Sequence, residues 1–152
     1  MPDDQRPNQT ITSSPGSIQV GRDLTVNVNP ARRLLEGPKQ LLIGEMSKSI
    51  GKNGKGLITC ILGDLESTAL AIDFVDVFRR AGWDLPGSGF NQAVYTGLPR
   101  GVIIKIHSRE DAGLPHVERL IEALFRVGLE RSGEIDPNVG PGEFQIIIGA
   151  RP

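Results

Sequence analysis

Residues 56–83, GLITCILGDLESTALAIDFVDVFRRAGW, read as a buried strand that turns directly into one long helix. Leu57 to Leu62 is an unbroken apolar run with β-branched residues, the composition of a strand covered on both faces, as in a parallel sheet. Asp64 or Ser67 is placed to cap the helix and Glu66 lies near its positive end, while Arg79, Arg80 and Gly82 supply a cationic last turn and a C′ glycine. Within the helix, Leu70, Phe74, Val77, Phe78 and Ala81 fall on one core face, and Ala71, Ile72 and Val75 carry apolar surface further round the cylinder. Only Thr68, Asp73, Asp76 and Arg80 keep a polar side. Either a second element of the same chain sandwiches this helix against the sheet, or the helix also builds a subunit interface.

Two more apolar runs continue the pattern. Val102–Ile106 reads as a second core strand, and the segment from Pro115 to Glu130 as a helix with Val117, Leu120, Ile121, Leu124 and Val127 on its core stripe. The hydrophilic run RSGEIDPNVGPGE reads as a loop, and Phe144–Gly149 as the third core strand. The order β-α-β-α-β, joined by right-handed crossovers, predicts an α/β fold with a small Rossmann-like core of three parallel strands. An antiparallel piece near Gln92–Thr96, or the N-terminal segment, would widen it.

The N-terminal third has a different texture. Residues 1–15, MPDDQRPNQTITSSP, are polar and punctuated by proline, with too little apolar surface to order alone. Ile18, Val20, Leu24, Val26 and Val28 then alternate with mostly polar neighbours, the period of a strand or of a hairpin turning at Gly21-Arg22-Asp23. Residues 1–29 are therefore assigned to an extended β-arm, 30–53 to a helical connector and 54–152 to the α/β domain. The connector reads as two helical pieces, Pro30–Glu36 and Pro38 to about Ile50, separated at Gly37-Pro38. GKNGKG at 51–56 leads into a strand and lacks the Gly-Lys-Ser/Thr ending of a phosphate loop, so it reads as a turn.

Composition narrows the function classes. The 152 residues suffice for one domain of ordinary size, and 17 Lys plus Arg against 18 Asp plus Glu offer no broad basic surface for nucleic acid or anionic membrane. The single cysteine, Cys60, lies within the apolar strand as a small hydrophobe. The N-terminus has no charged region followed by an apolar one, and no apolar run reaches the ~18 residues of a membrane span, so a soluble, cytoplasmic protein is expected.

Ligands on open α/β sheets bind beyond the carboxyl ends of the strands, which makes Gly63, Asp64, Glu66, His107 and Ser108 the candidate ligand-binding residues. The first strand-to-helix turn offers one glycine and two acids instead of G-x-G-x-x-G, so no dinucleotide cofactor is expected. Asp64 and Glu66 have two readings: contacts to a metal ion or ligand hydroxyl, or ordinary partners of the helix dipole. His107, Ser108 and Asp111 match no nucleophile elbow, and no Cys/His spacing suggests a metal site, so no catalytic residue, metal or cofactor is assigned.

Ile18-Gln19-Val20-Gly21 resembles the core tetrad of the RIP homotypic interaction motif and of related bacterial and fungal amyloid-signalling motifs, although Asn27 and Asn29 follow later than in that pattern. The resemblance implies self-association through stacked strands, with Ile18, Gln19, Val20, Gly21, Leu24, Val26 and Val28 in the contact. An edge strand or hairpin of its own domain, and a β-arm exchanged within a small oligomer, are the alternatives. Separately, Asp64, Glu66, Ala81-Gly82-Trp83 and Gly149–Pro152 resemble bacterial α/β domains carrying an acid-x-acid, long-helix, Ala-Gly-Trp segment, a likeness that brings no activity with it. The resulting expectation is a non-enzymatic, self-assembling interaction or regulatory module that forms a homo-oligomer and meets a signalling partner through its N-terminal arm. The alternative is a sensor or enzyme binding a nucleotide-like small molecule at the strand ends.

Overall fold

The last strand of the chain is the middle of its sheet. The computed structural model describes residues 32–49 and 57–152, of which Arg32–Pro152 belong to one compact unit. The elements in order are α1 (Glu36–Met46), β1 (Ile58–Ile61), α2 (Leu65–Arg80), β2 (Asn91–Ala93), β3 (Val102–Ile106), α3 (Pro115–Arg126), β4 (Arg131–Ile135) and β5 (Phe144–Ile148). They form a five-stranded sheet in the order β2-β1-β5-β3-β4. The fold is therefore α/β, with β1 parallel to both β2 and β5, and β3 parallel to β4.

The expected three-stranded parallel core is corrected at its centre, where β3 runs antiparallel to β5. The cause is β4. Residues 131–135, read above as part of a loop, are a strand, so the crossover through α3 ends there and only residues 136–143 remain to reach β5. A parallel crossover needs a dozen or more residues, so a link of eight leaves β5 to enter from the end at which β4 finishes. The segment expected to add an antiparallel strand is β2, which begins one residue earlier and pairs parallel to β1.

The apolar strands and helix stripes lie where their periodicity places them. Ile58, Cys60, Val102, Ile104, Ile106, Phe144, Ile146 and Ile148 face the helical layer and are buried. Asp64 caps α2, its side chain accepting from the Ser67 amide. At the other end of α2, Gly82 with φ 94° lets its own amide bond Arg79 O and the Trp83 amide bond Phe78 O, closing the helix as a Schellman motif. α3 ends earlier than expected, at Arg126, because Gly128 with φ 81° closes it the same way onto Phe125 O and Leu124 O.

Among its described residues, 32–49, the connector holds one α-helix followed by a 3₁₀ turn at Ser47–Ser49, where two helical pieces were expected; residues 30–31 and 50–53 lie outside the described residues. Arg32–Leu35 are non-helical, and α1 starts at Glu36 with Pro38 in its first turn, where an amide would lack an intrahelical partner in any case. α1 packs against both α2 and α3, and the Trp83 indole donates to Met46 O at 3.0 Å, which ties the end of α1 into an aromatic cluster where Trp83 meets Phe78 edge-on and Phe144 at a tilt. The polar side of α2 is covered as well. Asp73, only 2% exposed, accepts from Leu34 N, Arg33 Nε and Arg33 Nη2, while Lys39 bonds Asp76. Arg80 reaches back to Glu36. Val75 lies beneath Gly89, and Arg79 holds Leu85 O and Gly87 O, so the helix finds most of its cover within the chain and leaves Ile72 half-exposed.

Gly149 continues β5 under the backbone of the incoming β3 connection, where an added Cβ would sit 2.6 Å from Pro99 C and O. Backbone atoms cannot step aside as a flexible side-chain end can, so Gly149→Ala is expected to lower stability by about 1–3 kcal/mol. Urea denaturation measures it, and an unchanged midpoint would show that the crossing segment yields freely.

Candidate functional site

Two ends of the sheet compete for the role of a binding site. At the first end lie the carboxyl ends of β1, β2 and β5 and the beginnings of β3 and β4; at the second the directions are reversed. Gly63, Asp64 and Glu66 stand at the first end, His107 and Ser108 at the second. The five candidate ligand residues therefore do not converge, because the antiparallel β3 carries His107 and Ser108 away from the other three.

At the first end, Gly63 with φ 83° turns β1 into α2. Asp64 is occupied as the helix cap, its carbonyl also accepting from the Thr68 hydroxyl at 2.8 Å. Glu66 is held by Arg32: its Oε2 accepts from the Arg32 amide and Nε, both at 2.8 Å, and its Oε1 from Nη2 at 2.5 Å. The same Nη2 donates to Gly149 O at 2.6 Å, joining the start of the described chain to the end of β5. The Arg32 bond holds the Glu66 carboxyl below the usual carboxylate range against the opposing effect of burial, and Arg151 adds to the lowering. A recess of about 280 Å³ opens here between Ile61, Asp64, Glu66, Leu98, Ala150 and Arg151. Thr68 also lies 3.7 Å from Cys60 Sγ, and burial pushes that thiol up.

The second end is tied together through backbone carbonyls. His107 Nδ1 lies 2.8 Å from Val139 O and His116 Nε2 2.7 Å from Gly142 O, while Asp111 accepts from the Gly142 amide. Ser108 precedes the 3₁₀ turn Arg109–Gly113 without a side-chain capping bond. The side chains of His107 and Asp111 bond the 136–143 connection and not each other. His116 and Phe144 border a smaller recess of about 230 Å³.

Sequence reasoning missed two concavities that exist only once the strands are ordered. One, of about 300 Å³, lies on the sheet face away from the helices, where Tyr95 and Leu98 from the β2–β3 connection meet Ile103, Lys105, Glu134 and Ile147. The other, of about 320 Å³, lies between β4 and α3. Neither shows as a motif, since each joins residues from three or more elements. Among the described residues no group of three or more His, Cys, Asp or Glu could hold a metal ion, and no helix is long and apolar enough to cross a membrane.

No family model, curated protein or solved structure matches this chain.

The geometry makes Glu66 an anchor for the connector. Glu66→Ala leaves the largely buried Arg32 guanidinium without its counter-charge, and breaking such a pair costs about 3 kcal/mol. Because the folded-state value of Glu66 is depressed, its contribution is complete above the unfolded value of about 4.3 and disappears as pH falls through the lower folded value. The stability gap between wild type and Glu66→Ala, read by urea denaturation, is expected to be full at pH 7 and to narrow below about pH 4. A gap independent of pH would contradict the ion pair.

Proposed function

We propose that this protein is a non-enzymatic interaction module that self-associates into a closed oligomer, with Ile18–Val28 as its assembly element. The observation that carries this reading is the chemistry of the first end of the sheet. There the acids are engaged in capping and pairing, while large apolar side chains face outward: Leu65 is 84% and Val94 81% exposed, and Leu62 and Leu98 are each more than half exposed. Leu62 N bonds Ala93 O, which brings Leu62 beside Val94, and Leu98 borders the recess that contains Asp64 and Glu66. An apolar group gathered at one place on a surface marks a protein-contact site more often than a polar ligand site. The alternating arm with its Ile18-Gln19-Val20-Gly21 tetrad lies outside the described residues; Pro15 and the Arg22-Asp23 pair favour a closed assembly over a fibre.

A second reading rests on the recess beside Asp64, Glu66 and Arg151, whose size suits a small nucleotide-like ligand bound by a sensor or enzyme. A thermal-shift screen with nucleotides, cyclic nucleotides and divalent ions tests it: a reproducible rise abolished by Asp64→Ala would favour this reading over assembly alone.

Light scattering across a concentration series tests the assembly. Full-length protein is expected to be oligomeric, deletion of residues 1–29 to lower the oligomeric state with the helical signal retained, and Val20→Lys with Val26→Lys to weaken association by placing charge in an apolar row. A full-length chain that stays monomeric at high micromolar concentration would defeat the proposal.

A further inference from the structure

We infer that the outer edge of β4 is the acceptor for the arm of a second copy, in which Leu24–Val28 adds as a sixth strand and seats Val26 in the recess between β4 and α3; this rests on the self-association proposed above. Among the described residues β4 is bonded on one side only, to β3. Glu130 O accepts from Val102 N and Asp136 N donates to Ile106 O, so by the alternation of a parallel ladder the even-numbered residues of β4 face β3. Arg131, Gly133 and Ile135 therefore turn their amides and carbonyls outward, a template for another strand.

The same three residues border the helical layer, and there the edge is open. The Arg131 guanidinium carbon lies over the Phe125 ring, 4.8 Å from its centroid, Ile135 is half-exposed, and Gly133 between them has no side chain. Behind Gly133 the recess of about 320 Å³ reaches Ile104, Ile106, Ala112 and Ile121. Gly133 is absent from the positive-φ glycines, and a Cβ there would meet nothing nearer than Ile104 O at 3.8 Å. The backbone does not require glycine at this position, and its effect is to leave the recess reachable from the side. An exposed edge beside an apolar pocket is the arrangement by which domains take up an extended peptide: backbone bonds supply affinity and alternate side chains supply selection.

The usual protections of an edge are few here. β4 contains neither lysine nor proline, its one arginine is laid against Phe125, and its one acid, Glu134, lies on the sheet face away from the helices. The opposite edge, β2, offers three residues. The chain carries a complementary sequence of its own: Leu24, Val26 and Val28 alternate across five residues, the length of β4, so that in the inferred pairing one apolar side chain meets each of Arg131–Phe125, the recess and Ile135. The 31 residues before Arg32 span up to about 100 Å if extended, enough to reach a neighbouring molecule.

The test uses the full-length chain. Gly133→Pro removes an outward amide without touching the ladder to β3, and Gly133→Val fills the recess. Light scattering is expected to show the proline variant dissociating at concentrations at least tenfold higher than those at which wild type comes apart, with the valine variant shifted in the same direction. Hydrogen exchange of the wild type is expected to slow at the amides of Gly133 and Ile135 as concentration rises through assembly, which decides the matter even if the proline variant fails to fold. Wild-type assembly by a folded Gly133→Pro, or exchange at those amides that ignores concentration, overturns the inference. If assembly is nevertheless lost on deleting residues 1–29, the arm reading survives and the β4 acceptor does not; a wild type that never assembles removes both.

Discussion

β5 is the constraint on which the body depends. The chain builds two parallel strand–helix–strand units, β1-α2-β2 and β3-α3-β4, and neither touches the other within the sheet until Phe144–Ile148 is laid between them. β5 pairs parallel with β1 and antiparallel with β3, and Phe144, Ile146 and Ile148 sit in the centre of the core. A sheet whose keystone is its last strand is held by long-range contacts, which reward folding only after the intervening chain has been ordered. The same insertion sets the directions of the strands and hence the separation of His107 from Asp64.

The helical layer is closed by a different kind of bond. α1 has no side-chain cap and weak segregation of apolar residues, so it relies on what it touches. Trp83 donates to its last turn, and the run from Arg32 to Lys39 is fastened to Glu66, Asp73 and Asp76. Burial alone would raise the Asp73 carboxyl; the bonds from Arg33 and the Leu34 amide outweigh it and hold it below the usual range. Acids that look like candidates for ligand chemistry are thus engaged in holding the chain to itself, which shifts attention from the polar groups to the apolar side chains left outside.

That distribution gives the functional proposal its physical content. One end of the sheet exposes leucines and a valine beside engaged carboxylates, and β4, the outer strand among the described residues, lies beside an apolar recess. Both features suit a protein partner, and the second suits an extended one, because an incoming strand would bond the amides that β4 turns away from β3 while its alternate side chains enter the helical layer.

The sequence by itself determined those elements whose signals are local. Leu57–Leu62, Val102–Ile106 and Phe144–Gly149 announced buried strands through composition, and α2 announced both its ends through Asp64 and Gly82, since a cap and a left-handed glycine act within a few residues. It did not determine β4. Arg131-Ser132-Gly133-Glu134-Ile135 has one large apolar side chain and is held by main-chain bonds to β3, which leave no mark in a side-chain pattern. Missing that strand concealed the short link to β5, and with it the direction of β3, the split between Asp64 and His107, and the recess behind Gly133. Those belong to the tertiary structure because strand direction follows from how much chain remains to make the return, and a site follows from which strand ends that return brings together.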